Sequence, residues 1–282
     1  MKIVLMSMPD AVPIIMHESA FHLPNCGIAS LAANIDEGHE IYIADLIRKR
    51  RRLRSFLKKT LLGIRPRLVG LSAMAWQYET CISIVRYVKE LLPEAKIVIG
   101  GYHATLMYEE IVTAEGSESI DFIIRGEGEE PFRRLVNALD GKDDLALIPS
   151  LSYKQEGKFI HNPQGKLSDL STLKIPVRDE RRLTSGYHVI TSKVEVMETS
   201  RGCTRSCSFC SMNHMYGRNF RSFPMERILA DIDDIYYKRK TRTIFIADDN
   251  FVHDPQRVIS ICEAIIARNY RGLKLNIQAD SV

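Results

Sequence analysis

The chain has 282 residues, a formal net charge of +4, and 45% hydrophobic and 26% charged residues. This composition is typical of a globular protein, and so mild a charge does not by itself indicate nucleic-acid binding. No apolar run approaches the ~20 residues that a membrane-spanning helix needs. The N-terminus also lacks the features of a signal peptide, so we expect a cytoplasmic protein without a transmembrane segment.

Strands and helices alternate through the first half of the chain. Short β-branched runs predict strands that are buried on both faces, and helix-length stretches separate them. The predicted strands are 2–7, 40–45, 67–74, 96–101 and 121–126, and the predicted helices are 27–37, 50–63, 77–92 and 129–139. This α/β pattern predicts a doubly wound parallel sheet of the Rossmann or flavodoxin-like type over residues 1–145. Its ligand would lie at the carboxyl ends of the strands.

The pattern changes over residues 146–189. Residues 148–163 predict a β-hairpin with Glu156 and Gly157 in its turn, and a linker without clear periodicity follows. Alternation then resumes and predicts a second βα domain over residues 190–282. Its predicted elements are strand 194–200, a cysteine-rich loop, helix 224–240, strand 243–250, helix 254–269 and strand 274–280.

Three cysteines, Cys203, Cys207 and Cys210, lie in the segment CTRSCSFC. In a cytoplasmic protein such a cluster indicates metal binding rather than disulfides. His214 could complete a tetrahedral zinc site four residues after Cys210. Three thiolates alone suit an iron–sulfur cluster that keeps one iron open for a substrate or cofactor. The spacing is compatible with either site.

The segment CTRSCSFC resembles the Cys-x3-Cys-x-aromatic-Cys signature of the radical S-adenosylmethionine (SAM) superfamily at all four defining positions. The resemblance implies that Cys203, Cys207 and Cys210 bind a 4Fe–4S cluster that chelates SAM, with Phe209 against the adenine. An electron donor such as flavodoxin or ferredoxin would serve the cluster. The resemblance also implies a (β/α)6 partial barrel, of which residues 190–282 would be the first half, so the chain is expected to be truncated and its activity in isolation is in question.

The sequence FIADDNF ends the second strand of this domain and places Asp248 and Asp249 at its rim. In the radical SAM family this strand end contacts the amino group of SAM. Adjacent residues of a strand point to opposite faces, so we expect only one of the two acids to reach a ligand. The alternative is that they cap the helix beginning near Pro255. Gln278 and Asp280 are further candidates from their position near the end of the third strand.

The N-terminal domain resembles the cobalamin-binding domain of one class of radical SAM enzymes. Three segments carry the resemblance: VIGGYHAT (98–105), IIRGEGEEPF (123–132) and GIASLAANIDEGHEIYIAD (27–45). It implies that the corrin ring lies over the strand-end loops, facing the SAM site. The Asp-x-His-x-x-Gly motif that supplies a cobalt ligand in many cobalamin proteins is absent, as it often is in this class. The implied contacts are Ser72, Met74, Gly100, Gly101, His103, Ala104, Thr105, Gly126, Glu127 and Gly128, although His103 is equally consistent with a structural role.

The resemblance implies a cobalamin-dependent radical SAM methyltransferase acting on an unactivated carbon or a phosphinate of a small-molecule or lipid substrate. The alternatives are a radical SAM oxidoreductase or cyclase that transfers no methyl group, and a non-catalytic protein that holds a metal structurally. The basic segment IRKRRRLRSFLKK (47–59) predicts a solvated helix packed on the sheet, with contact to an anionic membrane surface as the alternative. Nucleic acid is not expected, because no aromatic platform accompanies the segment.

Overall fold

The computed structural model describes residues 1–10 and 21–280. Its strands are β1 (Lys2–Ser7), β2 (Phe21–His22), β3 (Glu40–Asp45), β4 (Leu68–Ser72), β5 (Lys96–Gly100), β6 (Phe122–Ile124), β7 (Leu151–Gln155), β8 (Lys158–His161), β9 (His188–Val189), β10 (Ser192–Met197), β11 (Ser200–Arg201), β12 (Arg221–Ser222), β13 (Thr243–Ile246) and β14 (Lys274–Asn276). Its α-helices are α1 (Cys26–Ala33), α2 (Leu53–Ile64), α3 (Tyr78–Leu91), α4 (Tyr102–Leu106), α5 (Tyr108–Ile111), α6 (Glu129–Leu139), α7 (Met212–Tyr216), α8 (Met225–Asp233) and α9 (Pro255–Ala267).

The first sheet has seven strands in the order β3-β1-β4-β5-β6-β7-β8. The five from β3 to β6 are parallel, β7 pairs antiparallel with β6, and β8 pairs antiparallel with β7. In β1, Val4 and Met6 pack in one apolar cluster with α2 and α3, whereas Ile3 and Leu5 pack in another with α1 and α6. Alternating side chains of one strand therefore face helices on opposite sides of the sheet. The predicted doubly wound fold is confirmed.

The hairpin predicted over residues 148–163 is also present. Strands β7 and β8 pair through the turn at Glu156 and Gly157, both of which have positive φ angles. Because β7 pairs with β6, the hairpin forms one edge of the first sheet rather than a separate connecting unit. The division of the chain into units 1–145, 146–189 and 190–282 stays a prediction.

The second sheet has five strands in the order β14-β13-β10-β9-β2. Strands β10, β13 and β14 are parallel, as predicted, and they share an apolar core with α8 and α9. Strands β9 and β2 add an antiparallel edge. The sequence did not predict these two, because strands of two residues show no periodicity. Strand β2 comes from the N-terminal part of the chain, so the second sheet is not built from residues 190–282 alone.

Several predicted elements of the second domain end earlier than expected. Strand β10 stops at Met197 and β13 at Ile246, because the polar residues that follow leave the strand ladder and form its rim. Helix α8 ends at Asp233 and continues as a π-helical turn, Asp234–Lys238. The segments that begin at residues 198 and 247 therefore lie beside the carboxyl ends of the strands of the first sheet.

The basic segment forms a 3-10 turn, Leu46–Arg52, and the start of α2. Leu46 is fully buried and Leu57 is 2% exposed, so the apolar stripe packs on the sheet as predicted, while Arg54, Lys58 and Lys59 are exposed. Within residues 1–10 and 21–280, no helix combines the length and apolar character required to traverse a bilayer.

Candidate functional site

A cavity of about 360 Å³ lies between the two sheets. On one side it is lined by the carboxyl ends of β4, β5 and β6 with the loops that follow, and by the start of α1. On the other side it is lined by residues that follow β10 and β13 and by α7. The sequence predicted a ligand at the strand ends of the first sheet, and the structure places the cavity there. The lining residues from the second domain are Glu198, Ser200, Arg201, Met215, Tyr216, Ala247 and Asp249.

Glycine backbone forms much of the first domain's side of the cavity. Gly101 has φ +92°, and a side-chain carbon at this position would come within 2.9 Å of the carbonyl oxygen of Ala73. Only glycine allows the β5 loop to pack this closely on the β4 loop, which leaves the cavity open above them. Seven of the ten implied cobalamin contacts line the cavity: Ser72, Met74, Gly100, Gly101, Gly126, Glu127 and Gly128. A flat organic cofactor fits this lining, since glycine backbone allows close approach.

The other three implied contacts lie outside the cavity lining, in α4. Ala104 is 2% exposed and packs in the hydrophobic core. The His103 ring packs on Tyr78 with 4.3 Å between ring centroids, and burial lowers the pKa of His103. Thr105 donates to the carbonyl of Gly101 at 2.8 Å and accepts from the N–H of Gly126 at 2.9 Å. Thr105 therefore joins two cavity loops from behind, and His103 has a structural position.

The start of α1 contributes cavity residues that the sequence analysis did not identify. Asn25 caps the helix by accepting from the N–H of Ile28 at 3.0 Å, and its own N–H donates to the buried carboxylate of Asp45 at 3.0 Å. Cys26, the first residue of α1, is half-buried and lines the cavity. An asparagine before an apolar helical run predicts a helix N-cap at Asn25. That this end of α1 faces the cavity depends on tertiary packing, which the local sequence does not show.

The cysteine loop begins directly after β11. Cys203 and Cys210 are half-buried, Cys207 is exposed, and Phe209 is 91% exposed. In the part of the chain that the structure describes, no group of three or more His, Cys, Asp and Glu side chains is placed to hold a metal ion, and His214 is exposed on α7. The donor set of the loop, three thiols without a fourth cysteine nearby, is chemically suited to an iron–sulfur cluster.

Asp248 and Asp249 have different environments. Asp248 is fully buried and accepts hydrogen bonds from the Thr199 N–H at 2.6 Å and from Arg257 Nη2 at 3.2 Å. Asp249 lines the cavity and accepts from the N–H of Gly202 at 2.8 Å. Only one acid reaches the cavity, as expected. The capping alternative is wrong, because Asp254 caps α9.

The candidates near the end of the third strand lie farther from this cavity. Gln278 follows β14, its side chain is exposed, and its carbonyl accepts from the N–H of Phe251 at 2.9 Å. Asp280 pairs with Arg205 at 2.8 Å and accepts from Asn250 at 3.0 Å. Asp280 and Arg205 line a second, more polar cavity of about 860 Å³ on the cysteine loop.

Buried acids and phenols meet where the two domains face each other. Burial raises the pKa of Glu198, although Arg201 opposes the shift. Burial, with the charges of Glu198 and Asp248, raises the pKa of Asp249 to about 6 against the effect of the Gly202 N–H. Burial also raises the pKa of Tyr102, whose hydroxyl donates to the sulfur of Met212 at 2.9 Å. Tyr102 is therefore a phenol hydrogen-bond donor at neutral pH.

Asp249→Asn is expected to stabilise the protein without ligands at pH 8. The pKa of Asp249 is raised to about 6 from 3.8, so its charge lowers the stability of the folded chain progressively as the pH rises between about 4 and 6. Asparagine can still accept from Gly202 and carries no charge. After allowance for its partial exposure, we expect a gain of about 1 kcal/mol at pH 8 that vanishes by pH 4, measured by urea unfolding.

Asp143→Asn is a control variant for which the opposite change in stability is expected. Hydrogen bonds from Arg134 lower the pKa of Asp143 to about 2. A lowered pKa means that the charged carboxylate stabilises the fold above about pH 4, so this variant should lose stability at pH 8. Equal pH profiles for Asp249→Asn and the parent chain would contradict the role given to Asp249.

Gly202→Ala is expected to disturb the start of the cysteine loop. Gly202 has φ +86°, and a methyl group there would overlap the backbone carbonyl of Asn219. Gly217→Ala is the matched control, because Gly217 also has a positive φ, +65°, but nothing lies within 4 Å of the added carbon. We expect a cost of about 1–3 kcal/mol for Gly217→Ala, because φ +65° with ψ −171° is a backbone conformation that essentially only glycine adopts. Gly202→Ala should cost roughly 1–3 kcal/mol more from the overlap, measured by urea unfolding. Equal costs would show that the chain around Asn219 adjusts freely.

The sequence has relatives in several organisms. Residues 12–136 match the family model of the B12 binding domain. An uncharacterized methyltransferase of Pyrococcus horikoshii is 29% identical over 259 residues, which cover 92% of this chain and 55% of the relative. An anaerobic magnesium-protoporphyrin IX monomethyl ester cyclase of Synechocystis is 27% identical over 203 residues, 72% of this chain and 40% of the relative. The chain thus spans about half the length of these curated relatives.

Two solved structures share the fold. The cobalamin-dependent S-adenosylmethionine radical enzyme OxsB, with aqua-cobalamin and S-adenosylmethionine bound, matches with a TM-score of 0.76 and 20% identity over 98% of this chain and 38% of that one. The radical S-adenosylmethionine methyltransferase TsrM of Kitasatospora setae, with cobalamin and a [4Fe-4S] cluster, matches with a TM-score of 0.72 and 18% identity over 95% of this chain and 51% of that one. Both matches extend over the two sheets.

Proposed function

We propose that this chain, which belongs with the cobalamin-dependent radical SAM enzymes, binds cobalamin in the cavity between its two sheets and a 4Fe–4S cluster on its cysteine loop. One observation carries the proposal. The glycine loops of the B12 binding domain line a cavity whose opposite side, Glu198 to Arg201, leads directly to Cys203. Two cofactors bound in this way would lie on adjoining segments of the chain.

Each part of the lining has a role in this proposal. The backbone at Gly100, Gly101 and Gly126 allows close approach of a corrin, and the apolar strand ends behind it exclude water. Asp249 would accept a hydrogen bond from the amino group of SAM, and Phe209 would pack on its adenine. When bound, the cluster would supply the electron for reductive cleavage of SAM, and cobalamin would carry a methyl group. A reduced flavodoxin or ferredoxin would be the electron source.

We infer methyl transfer to an unactivated carbon or a phosphinate as the reaction of the whole protein. The Pyrococcus horikoshii methyltransferase aligns with 92% of this chain, more than the Synechocystis cyclase does. The cyclase supports an alternative, a radical SAM oxidoreductase or cyclase reaction without methyl transfer. The products separate them: methyl transfer to an unactivated carbon yields 5′-deoxyadenosine, S-adenosylhomocysteine and a methylated substrate, whereas the alternative yields 5′-deoxyadenosine without S-adenosylhomocysteine or a methylated product.

The first test is an absorption spectrum after anaerobic reconstitution with iron, sulfide and hydroxocobalamin, followed by desalting. Stoichiometric corrin bands beside the broad cluster absorption are expected. Cluster absorption without corrin, in a folded protein, would contradict cobalamin binding, and tightly bound zinc instead of both would contradict the radical SAM proposal.

The basic face of the 3-10 turn Leu46–Arg52 and of α2 suits peripheral contact with an anionic membrane, which a lipid substrate would require. Arg51, Arg52 and Lys58 are exposed, and no acidic residue occurs between Leu46 and Tyr78. The apolar side of the helix packs on the sheet, so the contact would be electrostatic and would weaken with salt. Cosedimentation with phosphatidylglycerol vesicles at low salt, but not with phosphatidylcholine vesicles, is the expected result. Equal cosedimentation with both would contradict the proposal.

A further inference from the structure

One arginine before the cysteine loop is held by acids from both sheets. Arg201 is 6% exposed and lies in β11, two residues before Cys203. Glu198 accepts from Nε at 3.2 Å and from Nη2 at 2.9 Å. Glu129 accepts from Nη2 at 2.7 Å and from Nη1 at 3.3 Å. Glu127 accepts from Nη1 at 3.2 Å. These five hydrogen bonds match the five N–H groups that a guanidinium possesses.

Two of these acids lie where the glycine loop that follows β6 meets α6: Glu127 is in the loop and Glu129 is the first residue of the helix. Glu127 and Glu129 flank Gly128, and both side chains are only 4% exposed. Glu129 also accepts from the hydroxyl of Ser30 at 2.7 Å, and Glu127 accepts from Arg221 at 2.8 Å. The backbone of this loop lines the cavity while its acidic side chains pair with arginines of the second domain. A ligand that moves the loop must therefore move these acids.

The connection continues from Arg201 to the cysteines. Gly202 joins Arg201 to Cys203, its N–H donates to Asp249, and its Cα lies against the backbone of Asn219. All the donors of this buried guanidinium are bound to the three acids. If the acids move and Arg201 does not follow, its buried charge is left unpaired, which is strongly unfavourable. A displacement of Glu127 and Glu129 is therefore transmitted to Arg201, and through Gly202 to the first cysteine.

We propose that Arg201 is a positioning residue that couples occupation of the interdomain cavity by cobalamin to the conformation of the cysteine loop. The inference rests on the proposed function, since it takes cobalamin as the ligand of the cavity. Coupling between two sites is reciprocal, so a cluster-ready cysteine loop should also favour cobalamin binding. Cofactor loading would then be cooperative, and the cysteine loop would favour its cluster-binding conformation when cobalamin is in place.

The test measures thiol reactivity in the cluster-free full chain. Alkylation of Cys207 by iodoacetamide is followed by mass spectrometry with and without saturating cyanocobalamin. We expect cyanocobalamin to slow this alkylation about tenfold in the parent chain and to leave it unchanged in Arg201→Lys, because lysine keeps the charge but cannot reproduce the forked contacts. Cys262, which is exposed on α9, is the internal reference and should react at one rate throughout.

Two variants keep the test decisive. Arg182→Met removes another buried arginine, which pairs with Glu195 at 3.0 Å outside the cavity lining, and it should retain the tenfold protection. Glu129→Gln weakens the contact with Arg201 less than Arg201→Lys does and should lose part of the protection. This variant tests the same contact if Arg201→Lys does not fold.

The outcomes separate this inference from the proposed function. Protection that persists in Arg201→Lys would mean that bound corrin shields Cys207 directly, and the coupling role would be wrong. Binding of cyanocobalamin without protection in the parent chain would also overturn the coupling and would leave cobalamin binding intact. Failure of the parent chain to bind cyanocobalamin, seen by absorption after desalting, would overturn the proposed function as well.

Discussion

On the proposed function, replacing Cys203, Cys207 or Cys210 by alanine is expected to lower bound iron, and SAM cleavage by the whole protein, by at least about 100-fold after anaerobic reconstitution. Changes behind a metal ligand typically cost 10–100-fold in metal affinity, so loss of one of only three protein ligands should cost more. The effect should be equal at all three positions, although Cys207 is exposed and the other two are half-buried. Iron and sulfide content and the yield of 5′-deoxyadenosine measure it.

Two further variants separate the iron–sulfur site from the alternatives. Cys262→Ala removes an exposed thiol outside the loop and should change neither iron content nor SAM cleavage. His214→Ala should also change neither, because His214 has no ligand role in a three-cysteine cluster. Loss of bound metal in His214→Ala, with zinc found in the parent chain, would favour a Cys3His zinc site. Corrin binding should be unchanged in Cys262→Ala and His214→Ala. In the three loop-cysteine variants it should survive but weaken by the reciprocal coupling to the cluster, since no cysteine of the loop lines the cavity itself.

The sequence predicts the parts of this molecule that are governed by local rules. Consecutive apolar residues such as Val4 and Leu5 predict a strand buried on both faces, and the structure places them in separate clusters. Glycines after β5 and β6 predict loops open to a ligand, and Gly100, Gly101 and Gly126 line the cavity. In each case a few neighbouring residues of the sequence are enough to predict the local conformation or burial of one residue.

Long-range contacts leave no such signal. Arg201 pairs with Glu127, 74 residues earlier in the chain, and neither residue type in its own segment predicts the other. The short helix α4 was missed because five residues give no helical periodicity, and His103 and Ala104 were therefore expected to contact the ligand. Which of Asp248 and Asp249 reaches the cavity likewise depends on a distant residue, Thr199, whose N–H donates a hydrogen bond to the Asp248 carboxylate.

Arg178→Met is expected to destabilise the second domain by about 3–5 kcal/mol at neutral pH. The side chain of Arg178 is fully buried between the linker and β10, with Nη1 at 2.5 Å from Asp231 and Nη2 at 2.6 Å from the carbonyl of Val196. Its removal would leave Asp231, which is fully buried, without its main cationic partner. The unfolding free energy, measured in urea by circular dichroism, should fall far more than for Arg181→Met, whose pair with Asp179 is partly exposed and worth about 1 kcal/mol or less.

The pH dependence of this loss identifies its cause. Burial raises the pKa of Asp231 even though Arg178 opposes the shift, so removal of Arg178 should raise that pKa further. A carboxyl with a raised pKa destabilises the fold when charged, so the deficit of Arg178→Met should be largest at pH 8 and should shrink as the pH falls and Asp231 takes up a proton. Arg178→Met combined with Asp231→Asn should recover part of the stability at pH 8, because the unpaired charge is gone while the lost hydrogen bond to Val196 remains. A deficit that is independent of pH, with no recovery in the double variant, would mean that packing rather than charge makes Arg178 necessary. In that case the strand leading to Glu198 and the cysteine loop would depend on the volume of the side chain and not on the ion pair.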